Sequence, residues 1–277
     1  MLVATPIGNL GDLSPRSRAS LAEADVIGCE DTRRTRQLLT ACAITGKRLI
    51  SVHEHNEQAR AIEIVELVRS GRRVALVTDA GMPAISDPGE RVVAAVAAAG
   101  LRVEAIPGPS AVVMALALSG LATERFTFHG FLPRKGKDRK ARVAEVAAAS
   151  MTGVLYEAPN RVAATLADLA EVCGSDRRVV LARELTKLHE EVWRGDLASA
   201  VDHVAAHEPR GEFVIVIAGA PALDREIDDD VILGALADRR DAGLSNRDAS
   251  AEVAADLGLP KRRVYDLAVS RRPRPAS

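Results

Sequence analysis

The chain has 277 residues, of which 47% are hydrophobic and 27% charged, and its formal net charge is −1. This composition excludes a disordered chain and predicts about two ordinary domains, and no apolar stretch approaches the ~20 residues of a membrane-spanning helix. Three cysteines without CxxC spacing argue against a disulfide framework and a zinc site, so we expect a cytoplasmic protein with neither a metal nor a membrane partner.

Residues 1–120 alternate strand and helix patterns, which predicts a first α/β domain. Ser14 before Pro15 is typical of a helix start, and Gly71 is typical of a helix end. The alternation favours a doubly wound, mostly parallel sheet. The predicted strands cover residues 2–5, 26–29, 48–52, 73–78 and 101–106, and the predicted helices include 31–41, 90–99 and an apolar helix ending near Ser119.

Residues 121–222 predict a second α/β domain, and the two successive strands 178–182 and 191–194 favour a mixed sheet. The acidic, proline-bearing stretch 221–230 is predicted to be a linker. Residues 228–272 then predict a small module like a helix-turn-helix, with helices over 231–241, 245–257 and 260–269. The other predicted elements of the second domain are strands 126–131, 153–156 and 212–218, and helices ending near 149 and covering 160–172 and 197–207.

Polar or glycine-rich loops follow all the predicted strands of the first domain. Because the carboxyl ends of parallel strands share one edge of the sheet, these loops should gather there and line a ligand cleft. The loops cover residues 5–12, 30–33, 53–57, 79–89 and 107–111.

The cleft lacks the motifs of the common phosphate-containing cofactors, since neither GxGxxG nor GxxxxGK[ST] occurs. Its carboxylates suit ribose hydroxyls and a cationic centre, and S-adenosylmethionine has both. Asp79 and Asp87 are also consistent with turn formation and capping of the next helix.

Positive charge is concentrated in residues 134–142 and 261–274. Each segment carries a net +5, which leaves −11 on the rest of the chain. Such segments are typical of a surface that binds a polyanion, although a solvated loop and tail are equally consistent.

Seven motifs in order resemble the ribosomal RNA small subunit methyltransferase I family, within the tetrapyrrole methylase superfamily. The resemblance covers essentially the whole chain and implies two α/β domains of tetrapyrrole-methylase type with a small C-terminal helical module. The motifs are LVATPIGNL (2–10), CEDTR (29–33), HEHNE (53–57), SDPG (86–89), PGPSA (107–111), GFLPRK (130–135) and RELTK (183–187).

The resemblance implies 2′-O-methylation of a cytidine in the decoding region of bacterial 16S rRNA. S-adenosylmethionine would be the donor, small-subunit rRNA or the assembled 30S subunit the partner, and the protein a homodimer. The cofactor would contact Pro6, Asp79, Gly81, Ala84, Ile85, Ser110, Ala111, Leu132, Tyr156, Ala182 and Ala218.

A ribose hydroxyl needs its proton removed before it attacks a methyl group, so a general base is expected. The candidates are His53, Asp31 and Glu30, each of which is also consistent with an ion pair or a helix cap. Phosphate contacts are expected at Arg33, Arg134, Lys135, Lys137, Arg139, Lys140, Lys187, Lys261, Arg262 and Arg263.

Two other functions remain open from the residues. A tetrapyrrole methyltransferase would use the same donor, but its relatives carry Gly-x-Gly-x-Gly-Asp in the first loop, which this chain lacks. A non-catalytic RNA-binding protein would bind RNA without being stabilised by S-adenosylmethionine.

Overall fold

A computed structural model describes residues 1–221 and 227–270. The chain forms two compact units, residues 1–220 and a second unit from Pro221 onward. Half of the predicted linker, residues 222–226, lies outside the described residues, as do the arginines of the second basic segment beyond Ser270.

The first sheet is fully parallel, as predicted, with strand order β3-β2-β4-β1-β5. Strand β5 is shorter than expected, and Arg102 and Glu104 ahead of it form an exposed ion pair. The strands are β1 (Leu2–Val3), β2 (Val26–Cys29), β3 (Arg48–Ser51), β4 (Val74–Leu76) and β5 (Ala105–Ile106).

Helices cover both faces of the first sheet, which explains the nearly continuous apolar strands. One core cluster packs Leu21 of α1 and Leu39 of α2 against the sheet, and a second packs Ile64 of α3 and Val96 of α4 against the other face. The helices are α1 (Pro15–Glu23), α2 (Thr32–Ala41), α3 (Glu57–Arg69), α4 (Glu90–Ala98) and α5 (Ala111–Ser119).

The second sheet is mixed, also as predicted, with order β6-β7-β10-β8-β9 and a parallel pair only at β6 and β7. Helices α6, α7 and α8 cover one face, and α5 packs on the other through Val112, Ala115 and Leu116. The elements are β6 (Phe126–Phe131), α6 (Gly136–Ala148), β7 (Thr152–Glu157), α7 (Val162–Cys173), β8 (Arg178–Arg183), β9 (Glu191–Asp196), α8 (Leu197–Ala206) and β10 (Phe213–Ile217).

The basic segment 134–142 is not the loop that its charge suggested. Helix α6 begins at Gly136, so most of this segment is the first half of a helix. The helix forms because Val143 and Val146 bury their side chains in the core, and Asp138 in the first turn complements the helix dipole.

The described part of the second unit, residues 227–270, contains three helices around a core that includes Ile232, Leu236, Val253 and Val264. The first helix begins two residues earlier than predicted, because Asp228 caps it by accepting a hydrogen bond from the amide of Asp230. A short turn containing Gly258 joins the last two, as in helix-turn-helix motifs. The helices are α9 (Asp229–Asp241), α10 (Asn246–Leu257) and α11 (Lys261–Ser270).

Among the helices that the structure describes, none combines the length and the apolar character needed to cross a bilayer.

Candidate functional site

The loops at the carboxyl edge of the first sheet contact one another, as predicted. Thr5 and Gly81 exchange two backbone hydrogen bonds, with N···O distances of 2.9 and 3.1 Å. The amide of Asp31 donates to Asp79 Oδ1 at 3.1 Å. A Cβ on Gly108 would lie 2.6 Å from Ala4 Cβ, so glycine lets the loop after β5 close against the end of β1.

A cavity lies where these loops face the second sheet. It encloses about 310 Å³, at the lower end of the roughly 300–1,000 Å³ typical of small-molecule sites. Its walls are mainly apolar, and its carboxylates are Asp87, Glu157 and Glu212. The other wall residues that matter below are Ile7, Gly81, Ile85, Ser110, Ala111, Phe131, Tyr156 and Ala182.

The cavity brings together many of the residues that the resemblance assigned to the cofactor: Gly81, Ile85, Ser110, Ala111, Tyr156 and Ala182. Pro6, Asp79 and Ala84 each adjoin a wall residue without lining the cavity themselves. Pro6 and Asp79 instead line a neighbouring groove beside α2. Cofactor contacts at these three positions stay predictions.

Two predicted cofactor residues are placed elsewhere. Leu132 is 2% exposed, and it packs in the core beneath α6 and α7 because alternate residues of an extended segment face opposite sides. Ala218 follows the end of β10 opposite to the cavity, where its amide donates to the carbonyl of Arg178. We therefore do not place the cofactor against either residue.

Tyr156 forms an aromatic wall of the cavity with Phe131, and their ring centroids are 5.5 Å apart. Burial, with a smaller contribution from the nearby Asp87 carboxylate, raises the pKa of the Tyr156 phenol to about 12. The phenol therefore stays neutral at physiological pH and offers a flat surface with a polar tip.

Three carboxylates, those of Glu30, Asp79 and Asp87, lie near one another in these loops. Thr78 Oγ1 donates to Glu30 Oε2 at 3.3 Å. Burial raises the pKa of Glu30, and the Asp79 charge adds to it. Burial also raises the pKa of Asp87, to about 6. Among the described residues, no cluster of three or more His, Cys, Asp or Glu side chains has a geometry able to hold a metal.

The predicted general bases occupy different settings. Arg33 lies 2.8 Å from Asp31 and lowers the pKa of that carboxyl to about 2, which leaves a poor proton acceptor that caps α2. His53 is exposed at the end of the edge strand β3 and does not line the cavity. Glu30 lies close enough to Asp87 for its charge to raise the pKa of the Asp87 carboxyl, after the larger effect of burial.

Sequence reasoning left Asp87 as a turn former or helix cap, and the structure assigns the cap to another residue. Glu57, at the start of α3, accepts hydrogen bonds from the amides of Gly89 and Arg91 at 2.9 and 2.8 Å. Asp87 is thereby free to line the cavity. The SDPG motif was the available signal, but a single sequence does not show which carboxylate caps the helix.

The predicted RNA-binding residues divide into two groups. Arg134, Lys135, Lys137 and Lys140 are exposed and form no ion pair within the described residues. Arg139 turns inward instead, since its guanidinium donates to Asp168 at 2.7 Å, to Thr165 Oγ1 and to the carbonyl of Pro133. We therefore assign Arg139 to the fold rather than to the RNA surface.

Some of the remaining predicted phosphate ligands form ion pairs within the protein, and others are exposed. Lys187 Nζ lies 2.7 Å from Glu184 and 2.8 Å from Glu212, and Arg33 pairs with Asp31. In α11, Arg263 pairs with Asp229 at 3.2 Å, whereas the Arg262 side chain is 94% exposed and Lys261 is exposed as well.

Comparisons with known proteins agree on one family. A profile of the Tetrapyrrole (Corrin/Porphyrin) Methylases matches residues 1–201. The Ribosomal RNA small subunit methyltransferase I of Synechocystis sp. is 44% identical over 269 residues, which are 97% of this chain and 96% of the relative. The protein of the same name from Mycobacterium bovis is 44% identical over 274 residues, 98% of this chain and 95% of the relative.

Solved structures share the fold at lower identity. The methyltransferase CobJ superposes with a TM-score of 0.59 and 22% identity, covering 79% of this chain and 93% of its own. Uroporphyrin-III C-methyltransferase from Thermus thermophilus, complexed with S-adenyl homocysteine, gives a TM-score of 0.55 and 17% identity, covering 78% of this chain and 95% of its own.

Proposed function

The chain belongs to the ribosomal RNA small subunit methyltransferase I family of tetrapyrrole methylases, and from this premise we propose that it methylates the 2′-hydroxyl of a cytidine in the decoding region of bacterial 16S rRNA, with S-adenosylmethionine as donor. The observation that carries the proposal is the cavity between the carboxyl-edge loops and the second sheet.

The residues present fit this donor. The rings of Tyr156 and Phe131 suit an adenine base, and Gly81 gives a ligand close access to the backbone. Ser110 and Ala111 begin the nine-residue helix α5, whose free amides favour a carboxylate. When bound, the donor supplies a methyl group on a positively charged sulfur. Holding both reactants in one orientation is worth about 7–11 kcal/mol of the barrier.

The RNA surface that we propose in residues 1–220 consists of Arg134, Lys135, Lys137 and Lys140. Lys261 and Arg262 are separate RNA contacts that we propose for the second unit. The first four follow Phe131 closely in the chain, and Phe131 lines the cavity. Their positive charge suits the sugar–phosphate backbone. Phe, Trp and Tyr make up 3% of the residues, so a stacking platform for bases is not expected. We propose the 30S subunit as the RNA partner.

We also propose that the protein is a homodimer. An apolar patch beside the cavity exposes 57% of Val113, 52% of Phe131 and 47% of Ile85. It includes a groove that reaches from Ala105 on β5 to Phe128 on β6, and both strands are edges of their sheets. A second copy is the occupant that we propose, because Ile85 and Ser110 line both the groove and the cavity, so the partner would complete its rim.

The test of the proposed reaction supplies labelled S-adenosylmethionine and either 30S subunits or naked 16S rRNA from a strain that lacks the enzyme. Mass spectrometry of the digested RNA should find one methyl group on a cytidine ribose. Methylation of a base, or transfer to a porphyrin-type acceptor and not to RNA, would contradict the proposal.

The cavity is tested separately by donor binding. Ala111→Phe places a ring in the cavity wall, whereas Ala94→Phe makes the same change on an exposed position of α4. Calorimetry should detect loss of S-adenosylmethionine binding only in Ala111→Phe. Equal affinities in the two variants would remove the cavity as the donor site.

A further inference from the structure

Leu188 is exposed on a turn beside the cavity, residues 184–190. It is 93% exposed, more than any other large hydrophobic residue within 1–221 and 227–270. Single exposed leucines are common on protein surfaces. The position and the rigidity of this turn, however, indicate a role for its apolar tip.

The turn 184–190 lies between the cavity and the first loop of the chain, residues 5–12. Leu185 lines the cavity, and Lys187 Nζ lies 2.8 Å from Glu212, which lines it too. On the other side the turn contacts Gly8, where Lys187 Cγ fills the space that a Cβ would need. Leu10, a second exposed leucine, lies on that same loop. Leu188 is therefore placed where an RNA strand approaching the cavity would pass.

The backbone of the turn is fixed in an uncommon conformation. Glu184 and Thr186 have left-handed φ angles of +53° and +67°, which non-glycine residues seldom adopt and which recur at functional sites. The amide of Thr186 donates to Glu190 Oε2 at 2.6 Å, and the amide of Glu190 donates to the carbonyl of Lys187 at 3.2 Å. Lys187 Nζ also lies 2.7 Å from Glu184. The turn thus holds Leu188 in one position before a partner binds.

We propose that Leu188 is a wedge that inserts between the base of the target cytidine and a neighbouring base of the rRNA, an inference that rests on the function proposed above. An apolar side chain between two bases unstacks them, which helps to turn a nucleotide out of its strand. The ribose of that nucleotide can then reach the cavity and the methyl donor. Leu188 is a positioning residue in this proposal and takes no part in the bond changes.

The surroundings favour RNA as the occupant. Aromatic residues, which stack on bases in other RNA-binding proteins, make up only 3% of this chain, and leucine is among the side chains that serve as wedges. The exposed Arg34 lines a groove together with Gly8 and Leu10, and its charge suits a phosphate next to the unstacked base. The groove proposed for the second copy is lined by residues from Met82 to Phe128, so that copy is not expected to cover Leu188.

The experiment compares wild type with Leu188→Ala, which shortens the wedge, and Leu188→Met, which restores its length. In single-turnover assays with 30S subunits and saturating enzyme, Leu188→Ala should lower the rate of methyl transfer by about 10- to 100-fold, and Leu188→Met should recover most of it. Calorimetry without RNA should give equal affinities for S-adenosylmethionine, because the wedge does not contact the donor.

Unstacking is measured directly by dimethyl sulfate probing of 30S subunits bound to the enzyme and S-adenosylhomocysteine, which cannot donate a methyl group. Wild type and Leu188→Met should raise the reactivity of the target cytosine or its neighbour, whereas Leu188→Ala should not. A turn that only supports the fold would not produce this difference.

The matched control is Ile62→Ala, which shortens an exposed aliphatic side chain on α3 and should leave both the rate and the base reactivity unchanged. A rate for Leu188→Ala near that of wild type would overturn the inference while leaving the proposed function in place. Loss of a dimer in Leu188→Ala during sedimentation would also overturn it, because Leu188 would then belong to a subunit interface. If wild type transfers no methyl group to RNA, the proposed function itself fails and the inference falls with it.

Discussion

Ionising Asp87 costs more free energy in the folded protein than in the unfolded chain, because burial raises its pKa from an ordinary 3.8 to about 6. Between those values the folded state binds more protons, so stability falls as pH rises through that window. Asp87→Asn removes this cost. We therefore expect the melting temperature of Asp87→Asn minus that of wild type to be larger near pH 7.5 than near pH 5. Thermal unfolding measured without ligand checks this, and equal differences would contradict it.

Arg139 and Lys140 are neighbours in sequence with opposite roles. The Arg139 side chain is 12% exposed and pairs with Asp168, whereas Lys140 is exposed on α6. We expect Arg139→Ala to destabilise the protein by about 1.5–3 kcal/mol, the range for hydrogen bonds to charged groups. Lys140→Ala should change stability by less than about 0.5 kcal/mol. Denaturant unfolding of both variants measures these changes in the free energy of unfolding. Similar losses of stability in the two variants would contradict the different roles of Arg139 and Lys140.

At the scale of elements, α6 presents its charge along an exposed face. Replacing Lys135, Lys137 and Lys140 with Gln should weaken 30S binding and lower the slope of log K against log salt by about 2–3. The matched control is Arg69→Gln, Arg72→Gln and Arg102→Gln, which removes the same charge near the opposite edge of the first sheet. If 30S binding by the two triple variants has the same salt dependence, α6 has no specific role in RNA binding.

The elements themselves were largely predictable, because their patterns are local. Ser14, Asp31 and Ser245 cap helices as their sequence contexts indicate, and the buried residues of β2 match its apolar run. The sequence does not predict the helical start of α6, because the six basic residues of segment 134–142 outweigh the spacing of Val143 and Val146. Charge marks a segment as exposed, but it does not distinguish a helix from a loop.

The candidate site was only partly predictable, because it depends on which side chains meet across distant loops. The convergence of the loops followed from the parallel topology. The topology does not show whether Glu57 or Asp87 caps the start of α4, because about thirty residues of chain separate the two carboxylates. Arg139 was misassigned for the same reason, since its partner Asp168 lies on another helix.

At the scale of the whole molecule, the apolar patch predicts association. Val113 is 57% exposed on a helix whose other faces are buried. Val113→Asp should convert a dimer to a monomer in sedimentation equilibrium, because an uncompensated charge in an apolar interface costs several kcal/mol. Arg178→Asp, on an exposed position of β8, is the control that should remain dimeric. A monomeric wild type would contradict the homodimer.

Helix α5 links the two sheets of residues 1–220. Its first residue lines the cavity, while Ala115 and Leu116 belong to the core of the second sheet. Because α5 follows β5 of the first sheet directly in the chain and packs on the second sheet, unfolding of either sheet would disturb it. The two sheets should therefore unfold in a single cooperative transition. A small molecule bound at the N-terminus of α5 would then raise the melting temperature of strands that it does not contact.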